Sequence, residues 1–179
     1  MTRRDFIFLT LLSPFLAGAG AAPKIIRPPA ALPEDKFRTR CIRCGNCMKV
    51  CITNGLQPTL LEAGLSGMWT PRLLPETGYC EYHCTLCGKV CPTGAIPALT
   101  PEKKKQTRLG QANIDRSICL PWSQNRECIV CQEHCPVPDK AIKLEGKRPY
   151  VEPALCVGCG ICQNKCPVRP GRAIRVYPI

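Results

Sequence analysis

The sequence predicts an α+β fold built from small repeated units and held together more by bound metal than by apolar burial. Three observations carry that expectation. Glycine, proline and cysteine number 14, 19 and 16 among 179 residues, while aromatic residues make up 6%, which leaves little room for a large apolar core. Cysteine reaches the density at which disulfides or metals replace core burial. The cysteines also recur in four sets that open at positions 41, 80, 119 and 156, at intervals of 39, 39 and 37, and so regular a period marks duplicated structural units. A formal net charge of +12 would by itself suggest nucleic acid or another anionic surface.

The chain opens MTRRDFIFLTLLSPFLAGAGAAP. Arg3 and Arg4 form a short cationic start, Phe6 to Leu16 an apolar run broken by Pro14, and Ala17, Ala19 and Ala21 offer small-residue cleavage sites. That order is a signal peptide's, over residues 1–22. The run is shorter than the ~20 apolar residues of a comfortable membrane span. The paired arginines, followed by Phe6 and Ile7, resemble a twin-arginine export signal, with Phe8 where such signals often carry lysine. An ordinary secretory signal or an uncleaved anchor is the alternative. The twin-arginine route exports folded proteins, so it allows a metal cofactor in a chain that would otherwise read as a disulfide scaffold. The expected location is the periplasm, in solution or associated with the membrane. Residues 23–36 then read as a linker.

Every cysteine belongs to a set. The first is Cys41, Cys44, Cys47 and Cys51; the second Cys80, Cys84, Cys87 and Cys91; the third Cys119, Cys128, Cys131 and Cys135; the fourth Cys156, Cys159, Cys162 and Cys166. The first and fourth match C-x2-C-x2-C-x3-C, the bacterial ferredoxin run for [4Fe–4S] clusters. Each iron at a cluster corner needs a thiolate, and closely spaced cysteines on a tight loop wrap three corners. The last cysteine points away and reaches the neighbouring cluster. Pro92, Pro136 and Pro167 follow that cysteine and turn the chain without needing an amide bond, and Ile52 takes that place in the first set. Gly45, Gly88, Gly158 and Gly160 are expected to let backbone amides approach the cluster sulfurs. Structural zinc prefers two separated C-x2-C pairs. The C-x3-C-x2-C of Cys80, Cys84 and Cys87 also matches the radical S-adenosylmethionine signature, but Cys91 follows in ferredoxin register and the chain is short for those enzymes' barrel.

A two-cluster ferredoxin reads strand, motif, hairpin, motif, strand. In the second half, Gln111 to Ile114 is the opening strand, Ala141 to Leu144 and Pro149 to Val151 bracket a turn at Glu145–Gly146, and Ala173 to Tyr177 closes. In the first half, Pro58 to Pro75 is an enlarged hairpin and Ala95 to Leu99 the closing strand. A polar connection, Thr100 to Arg108, separates two tandem dicluster modules, 37–109 and 110–179. Cross-ligation within each module gives four [4Fe–4S] sites. Cys41, Cys44, Cys47 and Cys91 form the first, and Cys80, Cys84, Cys87 and Cys51 the second. Cys119, Cys128, Cys131 and Cys166 form the third, with an inserted loop carrying Trp122 between Cys119 and Cys128, and Cys156, Cys159, Cys162 and Cys135 the fourth. The competing arrangement pairs set one with four and two with three.

The strings CIRCGNCMKVC, GYCEYHCTLCGKVCPTGAI and IDRSICLPW, with the paired arginines, resemble the NapG/MauM group of ferredoxin-type proteins from about residue 2 to the C-terminus. The resemblance implies an electron carrier rather than an enzyme, with four [4Fe–4S] clusters. It implies a membrane-embedded partner, quinol-oxidising or itself ferredoxin-type, and a periplasmic redox partner such as a cytochrome or reductase. The alternatives are an assembly or maturation factor, or a non-catalytic iron–sulfur subunit of a larger molybdenum-type oxidoreductase complex.

The remaining features carry less. His83 and His134 precede cluster cysteines and are candidate donors behind the ligands. Lys103, Lys104 and Lys105 are a candidate docking run or a solvated loop, and Trp69 a partner contact or local packing. No Ser/His/Asp constellation or phosphate-binding loop is visible, and no aromatics interleave with the basic residues as on a nucleic-acid platform. Nucleic acid is therefore not an expected partner. Four oxidised clusters at −2 each with their thiolates would bring the mature chain's charge to about +3, so much of the Lys and Arg excess reads as compensation.

Overall fold

The computed structural model describes residues 25–179, so the signal-peptide reading lies outside the described residues. The described residues fold into short helices and three two-stranded antiparallel sheets, a ferredoxin-type arrangement in which loops carry the cysteines. Among the described residues no helix is long and apolar enough to cross a membrane.

The first half begins with α1 (Glu34–Arg40), whose Glu34 and Asp35 lie in the first turn and Arg38 and Arg40 in the last, complementing the helix dipole. Its Phe37 is fully buried. Next come α2 (Asn46–Lys49), β1 (Leu56–Pro58), a single 3₁₀ turn at Leu65–Gly67, β2 (Pro71–Leu73) and α3 (Leu86–Lys89). β1 and β2 pair from Leu56↔Leu73 to Pro58↔Pro71, so the enlarged hairpin exists, with two residues more of strand before Pro58 than expected. Buried Thr59 and Thr70 close its neck: Thr59 N–H donates to Thr70 O at 2.8 Å and Thr59 Oγ1 to Gly67 O at 2.6 Å.

Two expectations in this half are corrected. Ala95 to Leu99 is not a strand. Its backbone groups are spent elsewhere: Ile96 N–H donates to Cys91 Sγ at 3.4 Å and Ala95 O accepts from Leu32 N–H at 3.1 Å, while Pro97 has no N–H to give a ladder. The segment expected as a linker is packed structure from residue 25 onward. Ile26 is buried and its carbonyl accepts from Leu73 N–H at 2.7 Å. Arg27 grips Glu34 at 2.6 and 2.9 Å, donates at 2.8 Å to both Thr70 Oγ1 and Pro71 O, and lies 4.5 Å over the Phe37 ring.

The expected polar connection contains α4 (Pro101–Gln106), started by Thr100, whose hydroxyl accepts from Lys103 N–H. The second half follows the expected order. It contains β3 (Gly110–Ile114), α5 (Leu120–Ser123), α6 (Val130–Glu133), β4 (Ile142–Glu145), β5 (Arg148–Val151), α7 (Ile161–Lys165) and β6 (Ile174–Pro178). The terminal strands pair, Gly110↔Pro178 through Ile114↔Ile174, and bury alternate residues Ala112, Ile174 and Val176. The hairpin turn falls on Gly146–Lys147, one residue later than read from the sequence, because Glu145 pairs with Arg148.

Candidate metal centres

Each cysteine set uses the same local device. The third cysteine lies inside a one-turn helix: Cys47 in α2, Cys87 in α3, Cys131 in α6 and Cys162 in α7. The fourth falls just past the helix end, so the turn carries it away from the loop that holds the other three. Gly45 and Gly160 start α2 and α7 with φ of 78° and 86°, a left-handed conformation that suits glycine.

The thiols gather in fours. Cys41, Cys44, Cys47 and Cys91 line one cavity, and Cys51, Cys80, Cys84 and Cys87 a second. Cys135, Cys156, Cys159 and Cys162 line another. Cys119, Cys128, Cys131 and Cys166 lie close enough that their thiolates would repel one another. These four groups are called the first, second, fourth and third quartets, after the sequence sites they contain.

All sixteen cysteines are free thiols. Among the described residues no three His, Cys, Asp or Glu side chains meet at one point as a single metal ion requires. The quartets surround volumes instead. Burial raises the Cys47 thiol to about 11, helped by repulsion from Cys41 and Cys44. Burial likewise raises Cys87, Cys131 and Cys159 to about 12, and Cys162 well above its ordinary value. Buried thiols in mutual repulsion become thiolates only when a cationic core compensates them. Polarised donors are also in place. The Cys91 thiol, raised by burial, is brought below its ordinary value by the N–H of Ile96 and by Thr93. The Ala112 N–H donates to Cys156 Sγ at 3.4 Å. The donor set fits [4Fe–4S] clusters.

Other residues behave differently from their sequence reading. His83 and His134 are exposed; one ring stacks edge-on to Tyr82 and the other bonds Val130 O at 3.0 Å through Nδ1, so neither backs a ligand. Gly158 is glycine for close packing: a Cβ there would meet Gly110 N at 2.4 Å. The Cys119–Cys128 insertion folds as α5, and Trp122 is pinned by its Nε1–H to Pro149 O at 2.9 Å beneath the guanidinium groups of Arg116 and Arg148. Trp69 is exposed beside the first quartet, while Arg43 ties the hairpin tip to the first cysteine loop through Met68 O at 2.9 Å and Ser66 O at 2.7 Å. Lys104 departs furthest. It is 2% exposed within a run read as a docking surface or a solvated loop, and its charge and hydrogen bond oppose the burial that raises the Cys80 thiol.

A family model for a 4Fe-4S binding domain matches residues 149–170. The methylamine utilization ferredoxin-type protein MauM of Methylorubrum extorquens is 37% identical over 169 residues, covering 88% of this chain and 74% of that protein. The ferredoxin-type protein NapG of Escherichia coli is 36% identical over 167 residues, covering 86% and 71%. The ferredoxin-type protein NapF of the same organism is 32% identical over 147 residues, covering 80% of each.

Proposed function

Because this chain belongs to the MauM and NapG family of ferredoxin-type iron–sulfur electron-transfer proteins, we propose that it holds four [4Fe–4S] clusters and relays electrons between a membrane partner and a periplasmic acceptor. One observation carries the number four: sixteen free thiols stand in four groups, none left over. In the proposed ligation, Cys41, Cys44, Cys47 and Cys91 hold the first cluster, and Cys51, Cys80, Cys84 and Cys87 the second. Cys119, Cys128, Cys131 and Cys166 hold the third, and Cys135, Cys156, Cys159 and Cys162 the fourth. The modules are 37–109 and 110–179, each closed by a ligand exchanged between its own two motifs.

Bound there, each cluster supplies one-electron redox chemistry. The chain's part is to supply thiolates, to aim amide hydrogens at sulfur, and to keep water out. Most of the cysteines are at least partly buried, which favours rapid transfer with little solvent reorganisation. The donor is a quinol-oxidising or ferredoxin-type membrane protein, the acceptor a cytochrome or reductase, and residues 1–22 export the folded, loaded chain by the twin-arginine route. No open coordination position for a substrate is part of this reading, so the protein is a carrier and not an enzyme.

The test is anaerobic reconstitution with iron analysis. About sixteen irons per chain is expected from four clusters, and stoichiometric zinc without iron sinks the reading. Cys51→Ser tests the ligation. It should damage the cluster of Cys80, Cys84 and Cys87 and spare that of Cys41, Cys44 and Cys47, whereas the reverse pattern assigns Cys51 to its own set. Clusters that no dithionite-strength donor reduces would favour an assembly factor instead.

A further inference from the structure

Inside each half the two quartets adjoin through paired helices, α2 on α3 and α6 on α7. Between the halves two main-chain bonds lie near the cysteines. The Leu109 N–H, beside the second quartet, donates to the Val157 carbonyl at 2.9 Å, and the other bond joins two cysteines. The Cys80 N–H donates to the Cys159 carbonyl at 2.8 Å, so a cysteine of the second quartet is bonded through main chain to one of the fourth. Side chains brace that bond. Asn164 Nδ2 donates to Pro75 O at 3.0 Å, and Gln163 Nε2 to Glu76 Oε1 at 3.4 Å. Gly160 lies flat against Pro75, where a Cβ would come within 3.0 Å of the ring. The Lys165 ammonium sits 5.9 Å from the Tyr79 ring centroid. The Cys80 bond and its braces all join residues 75–80 to residues 159–165. Among the described residues, no hydrogen bond links a cysteine of the second quartet to one of the third.

Resting on the four-cluster reading, we propose that the Cys80–Cys159 main-chain bridge is the electronic junction between the halves. The four sites then work in the order first, second, fourth, third, and not in the order of the sequence. Electron tunnelling falls steeply with distance and passes better through bonded and hydrogen-bonded paths than across gaps. The bridge offers a path of one hydrogen bond between two ligand residues. Burial agrees at two of the four sites: all four cysteines of the fourth quartet are buried, as suits an internal station, and the first quartet contains Cys44, the one exposed cysteine. It does not separate the other two, since one cysteine of the second quartet and three of the third are buried. The bridge then makes the first and third sites the terminals through which electrons arrive and leave. In the second half the direction along the sequence is reversed.

The order is testable without measuring turnover. In one variant of the full loaded chain, Cys41→Ala, Cys44→Ala, Cys119→Ala and Cys128→Ala remove the first and third sites. In the other, Cys84→Ala, Cys87→Ala, Cys156→Ala and Cys162→Ala remove the second and fourth. Iron should fall to about eight per chain in each; a count that does not halve counts against four clusters and not against their order. After full reduction, the paramagnetic resonance spectrum of the first variant should show two coupled spins, and that of the second two isolated signals. Isolated signals in the first variant, or coupling in the second, overturn the order. Hydrogen exchange on the unsubstituted loaded protein gives an independent reading. The Cys80 amide should exchange at least ~100-fold slower than an open loop amide, and fast exchange overturns the junction.

Discussion

A lysine enclosed beside a proposed cluster ligand is costly unless its charge is used, and Lys104 is enclosed to 2% exposure. Its neighbour is Cys80, where burial raises the thiol and the lysine's charge and hydrogen bond work against that rise. With a cluster bound at the second quartet, the same charge stabilises the more negative, reduced state. Removing it should therefore lower that site's reduction potential. A differential of about 1 kcal/mol, the net worth of an ordinary hydrogen bond, corresponds to roughly 40 mV for one electron. Lys104→Met should show this shift in a potentiometric titration at one site of four, and Lys104→Arg should recover part of it. A potential unmoved in Lys104→Met would make the lysine purely structural. Nothing in the run Lys103–Lys105 distinguishes its middle member, because the three side chains are chemically identical. Only the turn of α4 divides them, leaving Lys103 and Lys105 exposed.

At the scale of elements, the first half replaces the outer strand pair of the second with α1 and the segment before it. Arg27 is the fastening. One guanidinium holds Glu34, Thr70 and Pro71 and covers Phe37, so it binds α1 to the hairpin neck. Arg27→Ala should cost about 2–3 kcal/mol, because it removes a largely buried guanidinium from its bidentate pair with half-exposed Glu34 and leaves Thr70 and Pro71 short of a donor. Arg27→Lys should not restore it, since a single ammonium cannot reproduce the fork. Thermal unfolding checks the loss, and iron release to a chelator should quicken at the first two sites before the others. This element was also the least legible in the sequence. The helix EDKFRTR has one apolar residue, so it shows almost no hydrophobic period. By contrast, the strands of the second half alternate and flank the cysteine motifs, and the cysteine spacings announce the quartets because ligand chemistry is local. Ala95 to Leu99 misled because its apolar composition reads as a strand, although Pro97 and the sulfur of Cys91 use up its backbone. The Cys80–Cys159 bridge leaves no mark in composition at all, being made of main chain.

For the whole molecule, charge and protonation are governed by the same sixteen thiols. The formal net charge of +12 belongs to a chain whose cysteines are neutral. With four oxidised clusters the positive excess shrinks by about eight. The unloaded chain should therefore need markedly more salt for elution from a polyanionic resin than the loaded one, and equal elution would mean that the clusters do not carry this compensation. The pH dependence has a definite sign. In the unloaded fold Cys47 is raised to about 11 and Cys87, Cys131 and Cys159 to about 12, above the ordinary value of 9.0, so folding favours their protonated forms. That contribution is fully present below pH 9 and is lost as pH rises from 9 through 11 to 12, because the unfolded chain sheds those protons first. Cluster binding demands the opposite state, thiolate. Loading at neutral pH must therefore expel protons, and it should strengthen as pH rises from 7 toward 9. Anaerobic reconstitution in weak buffer with a pH dye would measure the release, counted beyond the protons that the added hydrosulfide gives up on entering the clusters. Proton uptake, or loading that weakens over that range, would contradict the view that buried thiols become thiolates only when iron–sulfur cores compensate them.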